Sequence, residues 1–139
     1  MSEDQIRTCL LDFAGKHEEV LGLFLFGSHA GGRARASSDV DVALYIEPNA
    51  SAADANFELR LRYAVELEGV THKRVDVIIL NQAPPILRHQ IFRKGKLIFE
   101  RDRARVRRFI GDALVEFYDE IVTLQGAQET LIRRHLLGR

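Results

Sequence analysis

The sequence predicts a single α+β domain, a small mixed β-sheet of about four strands with helices packed mainly on one face. Its 139 residues fall within the roughly 100 to 200 residues usual for one domain. Hydrophobic residues make up 46% of the chain and charged residues 29%, an ordinary globular balance that allows a buried core. The apolar segments run in the order helix, strand, strand, helix, strand, helix, strand, helix.

The charge balance argues against two classes of partner. Lys plus Arg and Asp plus Glu both number 20, so the net charge gives no general attraction to nucleic acid or to an anionic membrane. No apolar run approaches the roughly 18 residues needed to span a bilayer, and no leading segment resembles a signal peptide. With Cys9 as its one cysteine, the chain forms no internal disulfide, and a cytoplasmic location is expected.

The first helix and the first strand are predicted from capping and periodicity. Residues 3–16 have helical spacing, and Ser2 with Gln5 fits a capping box. The apolar face of this helix consists of Ile6, Leu10, Phe13 and Ala14. Val20–Phe26 is a nearly continuous apolar run, as expected of a strand buried on both faces, and Gly27 ends it.

The next three elements follow from small residues, alternation and a second helical pattern. Residues 28–34 are small enough for a short helical turn against the first strand. The second strand is predicted at Val40–Ile46. Residues 52–68 are predicted as a helix that Ser51 caps and Gly69 ends.

The second half of the chain predicts two strands and two helices. Residues 74–80, RVDVIIL, are dense in β-branched residues and predict a third strand. Pro84 and Pro85 open a short helix that stops at Gly95. An edge strand follows at Lys96–Glu100, and the longest helix is predicted at residues 102–125. The tail from Gln128 to Arg139 is expected either to add a helical turn or two or to fray.

Two aspartates at the start of the second strand are the first candidate site residues. Successive side chains on a strand point to opposite faces, so Asp39 and Asp41 share one face. Holding two nearby carboxylates ionised costs free energy, and a hard divalent cation such as Mg²⁺ removes that cost. The alternative is a polar strand start with two solvated acids.

Asp76 favours the metal hypothesis because it lies inside the apolar third strand. A carboxylate in such a run needs a cation or several hydrogen-bond donors. If the second and third strands are neighbours, Asp76 lies beside the first two acids, and a two-metal phosphoryl-transfer site is plausible. The alternative is an ion pair with Arg74 or Lys73.

The Gly27-Ser28 pair is the candidate phosphate site. Glycine lets the backbone approach a ligand closely, and free N–H groups at the start of a helical turn, with the Ser28 hydroxyl, can hold an anion. By itself the pair also fits a plain turn.

The segment GSHAGGRARASSDVDVALYI resembles the signature of the DNA polymerase β-type nucleotidyltransferase superfamily. In that signature a Gly-Ser pair ends one strand, an Asp-x-Asp follows on the next strand, and a third acid lies on a later strand. The shorter pattern G-S-x-A-x-G…S-D-x-D is similar to the minimal nucleotidyltransferase (MNT) proteins, and the likeness covers about residues 20–100. Gly31 stands where many relatives carry Arg, and the nearby Arg33 and Arg35 are candidates to supply that charge at the nucleotide.

This resemblance implies the nucleotidyltransferase fold and a mechanism. The Gly27-Ser28 turn would hold the terminal phosphates of ATP, and Asp39 and Asp41 would bind two Mg²⁺ ions. Asp76 would ligate the catalytic ion and help deprotonate the acceptor hydroxyl, which attacks the α-phosphorus as pyrophosphate leaves.

The resemblance also implies an acceptor. The expected organisation is a catalytic core at residues 1–100 and a C-terminal helical extension at residues 101–139, packed on the core or on a partner, within a single domain overall. Because the extra domains of nucleic-acid-binding relatives are missing, the leading hypothesis is an antitoxin that transfers AMP from ATP to a tyrosine of a cognate HEPN ribonuclease toxin. The alternatives are an adenylyltransferase acting on a small molecule such as an aminoglycoside, and an antitoxin that acts by binding alone.

Several other polar residues have weaker cases. His29 is expected at the surface, and Arg88 and Arg93 are expected near the cleft, where they could meet substrate phosphates. Tyr45 shares the aspartate face and could line the site. The five arginines within residues 101–108 indicate a solvated helix face or an acidic partner surface rather than nucleic-acid binding.

Overall fold

The structure is a computed structural model that describes residues 2–32, 38–50 and 56–136. The helices are α1 (Glu3–Lys16), α2 (Asn56–Thr71), α3 (Pro85–Lys94) and α4 (Arg103–Leu136). The strands are β1 (Val20–Phe26), β2 (Val40–Ile46), β3 (Val75–Ile79) and β4 (Lys96–Glu100). Short 3₁₀ turns lie at Gly27–His29, Pro48–Ala50 and Leu80–Gln82.

The four strands form one mixed sheet in the order β3-β2-β1-β4. β1 runs antiparallel to both β2 and β4, whereas β2 and β3 run parallel. The α+β class, the mixed sheet and the edge position of β4 are therefore confirmed. β2 and β3 are neighbours, which is the condition that the predicted acidic site requires.

Helices α1 and α2 cover one face of the sheet. The buried residues of this layer are Ile6, Leu10, Phe13 and Ala14 from α1 and Leu59, Tyr63 and Leu67 from α2, packed on the valines, leucines and isoleucines of the strands. The opposite face carries α3 and the beginning of α4, where Phe24, Ala43 and Tyr45 meet Ile91 and Val106. Two helices thus pack on each face of the sheet, whereas the sequence predicted helices mainly on one face.

Two sequence-predicted ends are confirmed. The Ser2 hydroxyl accepts from the Gln5 N–H at 3.2 Å, and the Gln5 side chain accepts from the Ser2 N–H at 2.7 Å, so the capping box forms. Helix α3 has Pro85 in its first turn and ends at Gly95. Both ends follow from local chemistry alone.

The two longest helices differ from their predicted bounds. Helix α2 runs through Gly69 to Thr71 and ends where His72 adopts a φ of 55°, so His72 rather than the glycine carries the left-handed turn. Its predicted start and the Ser51 cap lie outside the described residues. Helix α4 continues through Gly126 to Leu136, so its predicted end at residue 125 was wrong.

The arginines of residues 101–108 are partly structural, which corrects the solvated-face prediction. The Arg101 guanidinium donates to the carbonyl oxygens of Ala14, His17 and Val20 at 2.6, 3.2 and 3.0 Å. These contacts tie the end of α1 and the connection into β1 to the residue that comes shortly before α4. Arg105 binds Glu47 through two hydrogen bonds.

None of the helices described for this chain is both long and apolar enough to cross a membrane.

Candidate active site

The predicted acids meet at the end of the sheet where β1 finishes and β2 and β3 begin. Asp41 of β2 lies opposite Phe26 of β1 and directly beside Asp76 of β3 in the parallel ladder. Asp39 precedes β2 by one residue. Since Val40 and Val42 are buried under α1 and α2, Asp41 points to the other face of the sheet, as predicted.

These carboxylates interact electrostatically. Asp39 and Asp76 are exposed and Asp41 is half-buried. Burial raises the pKa of Asp41, and the negative charges of Asp76 and Asp39 raise it further, whereas His29 acts in the opposite direction. Ionising Asp41 therefore costs more free energy than ionising a carboxyl group in water.

The alternative interpretations of the acids can be compared with these contacts. Within the described part of the chain, Asp76 makes no ion pair with Arg74. The same residues contain no group of three or more His, Cys, Asp or Glu side chains gathered closely enough to hold a metal ion. Asp39, Asp41 and Asp76 thus lie close together in the sheet, and the charges of the other two act on Asp41. Their carboxylates do not point to one shared position.

Gly27 fits against Asp41 in a way that only glycine allows. Its φ is +73°, a region that side-chain-bearing residues rarely adopt, and a Cβ built there would overlap the Asp41 Oδ2 atom. Gly27 also begins the 3₁₀ turn Gly27–His29, in which Ser28 is half-buried. The turn and the acid are therefore in direct contact, and the leading N–H groups of such a turn have no partner within it.

His29 is buried, at 4% exposure, so its predicted surface position was wrong. Its Nδ1 lies 2.8 Å from Glu3 Oε1, and its Nε2 lies 3.2 Å from the Ser38 carbonyl oxygen. Both partners are acceptors, so both contacts are hydrogen bonds when each ring nitrogen carries a proton. His29 joins the Gly27–His29 turn to α1 and to the backbone just before Asp39.

Two further predicted residues lie away from the acids. Tyr45 is on the Asp41 face but is buried, with its ring stacked on Phe109 of α4 at 4.0 Å between centroids. Arg88 donates to the Leu80 carbonyl at 2.7 Å and pairs with Glu116 at 3.2 Å. Both residues hold α4 and α3 on the sheet, so neither is placed to bind substrate.

Arg93 is exposed on α3. The two arginines predicted to contact the nucleotide, Arg33 and Arg35, lie outside the described residues.

Comparison with known proteins gives the class of protein. Residues 9–104 match the family described as "Polymerase beta, Nucleotidyltransferase", a stretch that contains Gly27, Ser28 and the three aspartates. The chain belongs to this family. The predicted enzyme class, a nucleotidyltransferase, is confirmed.

One relative and two solved structures narrow the comparison. A protein of Methanocaldococcus jannaschii named "Putative protein adenylyltransferase" is 31% identical over 95 residues, which is 68% of this chain and 96% of the relative. A chain of a crystallised toxin-antitoxin complex with AMP-PNP has a TM-score of 0.64 at 21% identity, covering 98% of this chain and 99% of that chain. A chain of the complex of the tri-AMPylated Shewanella oneidensis HEPN toxin with MNT antitoxin has a TM-score of 0.70 at 16% identity, covering 94% and 99%. These two likenesses establish the shared fold, which extends over the C-terminal helix.

Proposed function

We propose that this nucleotidyltransferase is an antitoxin that transfers AMP from ATP to a tyrosine hydroxyl of a cognate HEPN toxin. The observation that carries the proposal is the pairing of Asp41 with Asp76 in the parallel ladder, directly against the Gly27 turn. A phosphate-binding turn and paired carboxylates are the two parts that metal-assisted nucleotidyl transfer needs.

The donor set fits a divalent cation such as Mg²⁺. Asp39, Asp41 and Asp76 offer oxygen atoms alone, and hard cations prefer such ligands. The mutual repulsion that raises the pKa of Asp41 is a cost that a cation would remove. The carboxylates of these three acids would have to turn toward each other to hold Mg²⁺, which would then stabilise the negative charge on the transferred phosphoryl group and on the leaving pyrophosphate.

The chain's own groups have separate tasks in this proposal. The N–H groups of the Gly27–His29 turn and the Ser28 hydroxyl bind the triphosphate and orient it. Asp76 is exposed, so an acceptor side chain can reach its carboxylate, which would take the proton of the attacking hydroxyl. Because β1, β2 and β3 hold these groups at one sheet end, they are oriented before the nucleotide arrives.

The partner is inferred from the relatives. The M. jannaschii relative carries the name of a protein adenylyltransferase, and both solved complexes pair a toxin with an antitoxin. The match covers 96% of the M. jannaschii relative and 99% of the chain in the tri-AMPylated toxin complex, so the likeness takes in nearly the whole of each. A protein acceptor is therefore favoured over a small molecule.

A transfer assay tests the proposal. The chain is incubated with α-labelled ATP, Mg²⁺ and the protein encoded beside it, and the products are separated on a denaturing gel. We expect label on the neighbouring protein, lost when its acceptor tyrosine is changed to Phe. Label on an aminoglycoside instead, or a stable complex with no transfer under any of these conditions, would refute the protein-adenylylation proposal.

Variants of the acids test the site separately from the acceptor. Asp39→Asn and Asp41→Asn should each lower transfer by on the order of 10³-fold, the scale of losing a group that stabilises transition-state charge, while circular dichroism shows an intact fold. Asp112→Asn makes the same chemical change on the exposed surface of α4 and should transfer at the wild-type rate. Wild-type rates from both site variants would rule out this assignment.

A further inference from the structure

The C-terminal half of α4 extends beyond the folded domain. Every described side chain from Val122 to His135 is exposed, including Leu124 at 59% and Leu131 at 64%. An isolated helix of roughly this length is marginally stable in water, and most helical stability comes from packing an apolar face. A partner for this segment would therefore stabilise it.

One apolar face of α4 continues from the covered half into the exposed half. In the covered half, Val106 and Ala113 pack on the domain, and Phe117 stacks on His89 at 3.9 Å between centroids. The same face then presents side chains at alternating spacings of four and three residues: Phe117, Ile121, Leu124, Gln128, Leu131 and His135. This spacing is the seam of a coiled coil. We call these six residues the α4 seam.

The borders of the α4 seam are different from each other. Glu120, Ala127 and Arg134 recur every seven residues along one border, and Tyr118, Gln125 and Ile132 recur along the other. One border thus carries an acid at one end, a small residue in the middle and a base at the far end. The other border carries an aromatic and an aliphatic residue at its two ends.

This pattern is self-complementary only when the helix is reversed. In an antiparallel pair with its two-fold axis near Gly126, Glu120 lies opposite Arg134 of the second copy, and Tyr118 lies opposite Ile132. In a parallel pair each border faces the opposite border of the second copy, so Glu120 would lie opposite Gln125 and would not meet Arg134. Glu120 and Arg134 form no ion pair within the described residues of one chain, so both are available for this contact.

The same register also brings one apolar pair together. Ile121 meets Leu131 of the second copy, and Leu124 meets Gln128. Ala127 lies at the crossing point, where a small side chain lets two helices approach closely. Charge, apolar packing and side-chain size therefore select one register.

We propose that α4 is a dimerisation helix, which pairs antiparallel with α4 of a second copy of this chain through the α4 seam. The proposal is independent of the transfer reaction, because none of the candidate site residues lies on α4.

Light scattering on the full chain, without toxin, tests the association. We expect a particle of twice the 15.8 kDa chain mass at micromolar concentration. Leu131→Glu should give the monomer mass with unchanged domain structure, because this side chain has no contact in the domain. A monomer at all concentrations, or a dimer that Leu131→Glu leaves intact, would overturn the proposal.

Charge variants test the pairing direction. Glu120→Arg places two like-charged contacts in the interface and should weaken dimerisation by about tenfold. Adding Arg134→Glu to that variant should restore it, because the ion pairs are re-formed in reverse. Glu129→Arg, the same substitution away from the α4 seam, is the matched control and should leave the dissociation constant unchanged.

A cysteine at the two-fold axis tests the register. In a Cys9→Ser background, Ala127→Cys should form a disulfide-linked dimer under mild oxidation, whereas Val122→Cys on another face should not. Equal cross-linking at both positions would contradict the register. If the wild-type chain is monomeric alone and Leu131→Glu abolishes binding of the neighbouring protein instead, the toxin covers the α4 seam and the proposal fails.

Discussion

The two ends of β2 carry carboxylates in opposite electrostatic settings. At the far end, Glu47 accepts hydrogen bonds from both terminal nitrogens of Arg105 at 2.7 and 2.9 Å, and this contact lowers its pKa. At the near end, burial and the charges of Asp76 and Asp39 raise the pKa of Asp41. One end of the strand pairs its charge and the other end concentrates like charges.

The difference separates structural polar groups from candidate functional ones. The backbone at the far end is hydrogen-bonded as well, since the Asn81 side chain accepts from the Ile46 N–H at 3.0 Å and donates to the Ile46 carbonyl at 2.8 Å. Selection for stability alone favours such pairing, whereas perturbed acids cluster at functional sites. The unbalanced end of β2 is therefore where a ligand is expected to supply the missing positive charge.

The largest expected effect comes from breaking the contact between Gly27 and Asp41. Gly27→Ala should lower the free energy of unfolding by about 1 to 3 kcal/mol, because the cost of a positive φ is joined by the cost of turning the Asp41 carboxylate away from the new methyl group. It should also abolish transfer, since the turn and the acid must separate. Urea unfolding and the labelled-ATP assay measure the two effects.

Gly32→Ala is the matched control for that prediction. Gly32 has a similar φ of +69°, but a Cβ there meets no atom of the described residues within 4 Å. Only the backbone cost applies, about 1 to 2 kcal/mol, and transfer should survive. Equal losses of stability in the two variants would show that the overlap with Asp41 does not matter.

The next prediction concerns His29, whose hydrogen bonds are expected to hold the backbone before Asp39 in place. His29→Ala leaves Glu3 and the Ser38 carbonyl without their buried donor and should cost about 1 to 3 kcal/mol in urea unfolding. Since the Ser38 backbone precedes Asp39, transfer should weaken as well. His72→Asn is the control, because His72 is exposed and Asn tolerates its positive φ. A stability loss as large in the control would refute the role of His29.

The arrangement of the acids was predictable to the extent that it depends on period and topology. Alternation along β2 put Asp39 and Asp41 on one face, and the β2–β3 pairing then brought Asp76 beside Asp41. The sequence did not predict that β2 and β3 are neighbours, because strand order depends on contacts across the whole chain. The roles of these residues in transfer remain predictions.

The errors have a common physical cause, which is that long-range packing overrides local pattern. His29 is buried because the start of α1, 26 residues earlier, folds over it. Tyr45 alternates correctly with Asp41, yet α4 covers its end of the face. Glycine often ends a helix, but α2 continues through Gly69 and α4 through Gly126. Neither glycine has a positive φ, so neither interrupts its helix.

The smallest expected effects concern how the free energy of unfolding depends on pH when a chelator is present. The two ends of β2 should differ in this dependence. The folded-state pKa of Asp41 is above its ordinary 3.8, so the ionised group opposes folding, and this penalty disappears as the pH falls through the raised pKa. The folded-state pKa of Glu47 is below its ordinary 4.5, so its contribution is present at neutral pH and is lost as the pH falls through the lowered pKa.

At pH 7 Asp41→Asn should therefore stabilise the chelated protein, by less than about 1 kcal/mol because the charges are partly exposed, whereas Glu47→Gln should destabilise it. Both differences should shrink in urea unfolding at acid pH, and added Mg²⁺ should stabilise the wild-type chain more than Asp41→Asn. If the two variants shift the stability in the same direction at pH 7, the two ends of β2 do not differ in the way that their contacts indicate. A shift in opposite directions would mean that Asp41 is retained at a cost to the fold, which is the property expected of a residue kept for binding a cation.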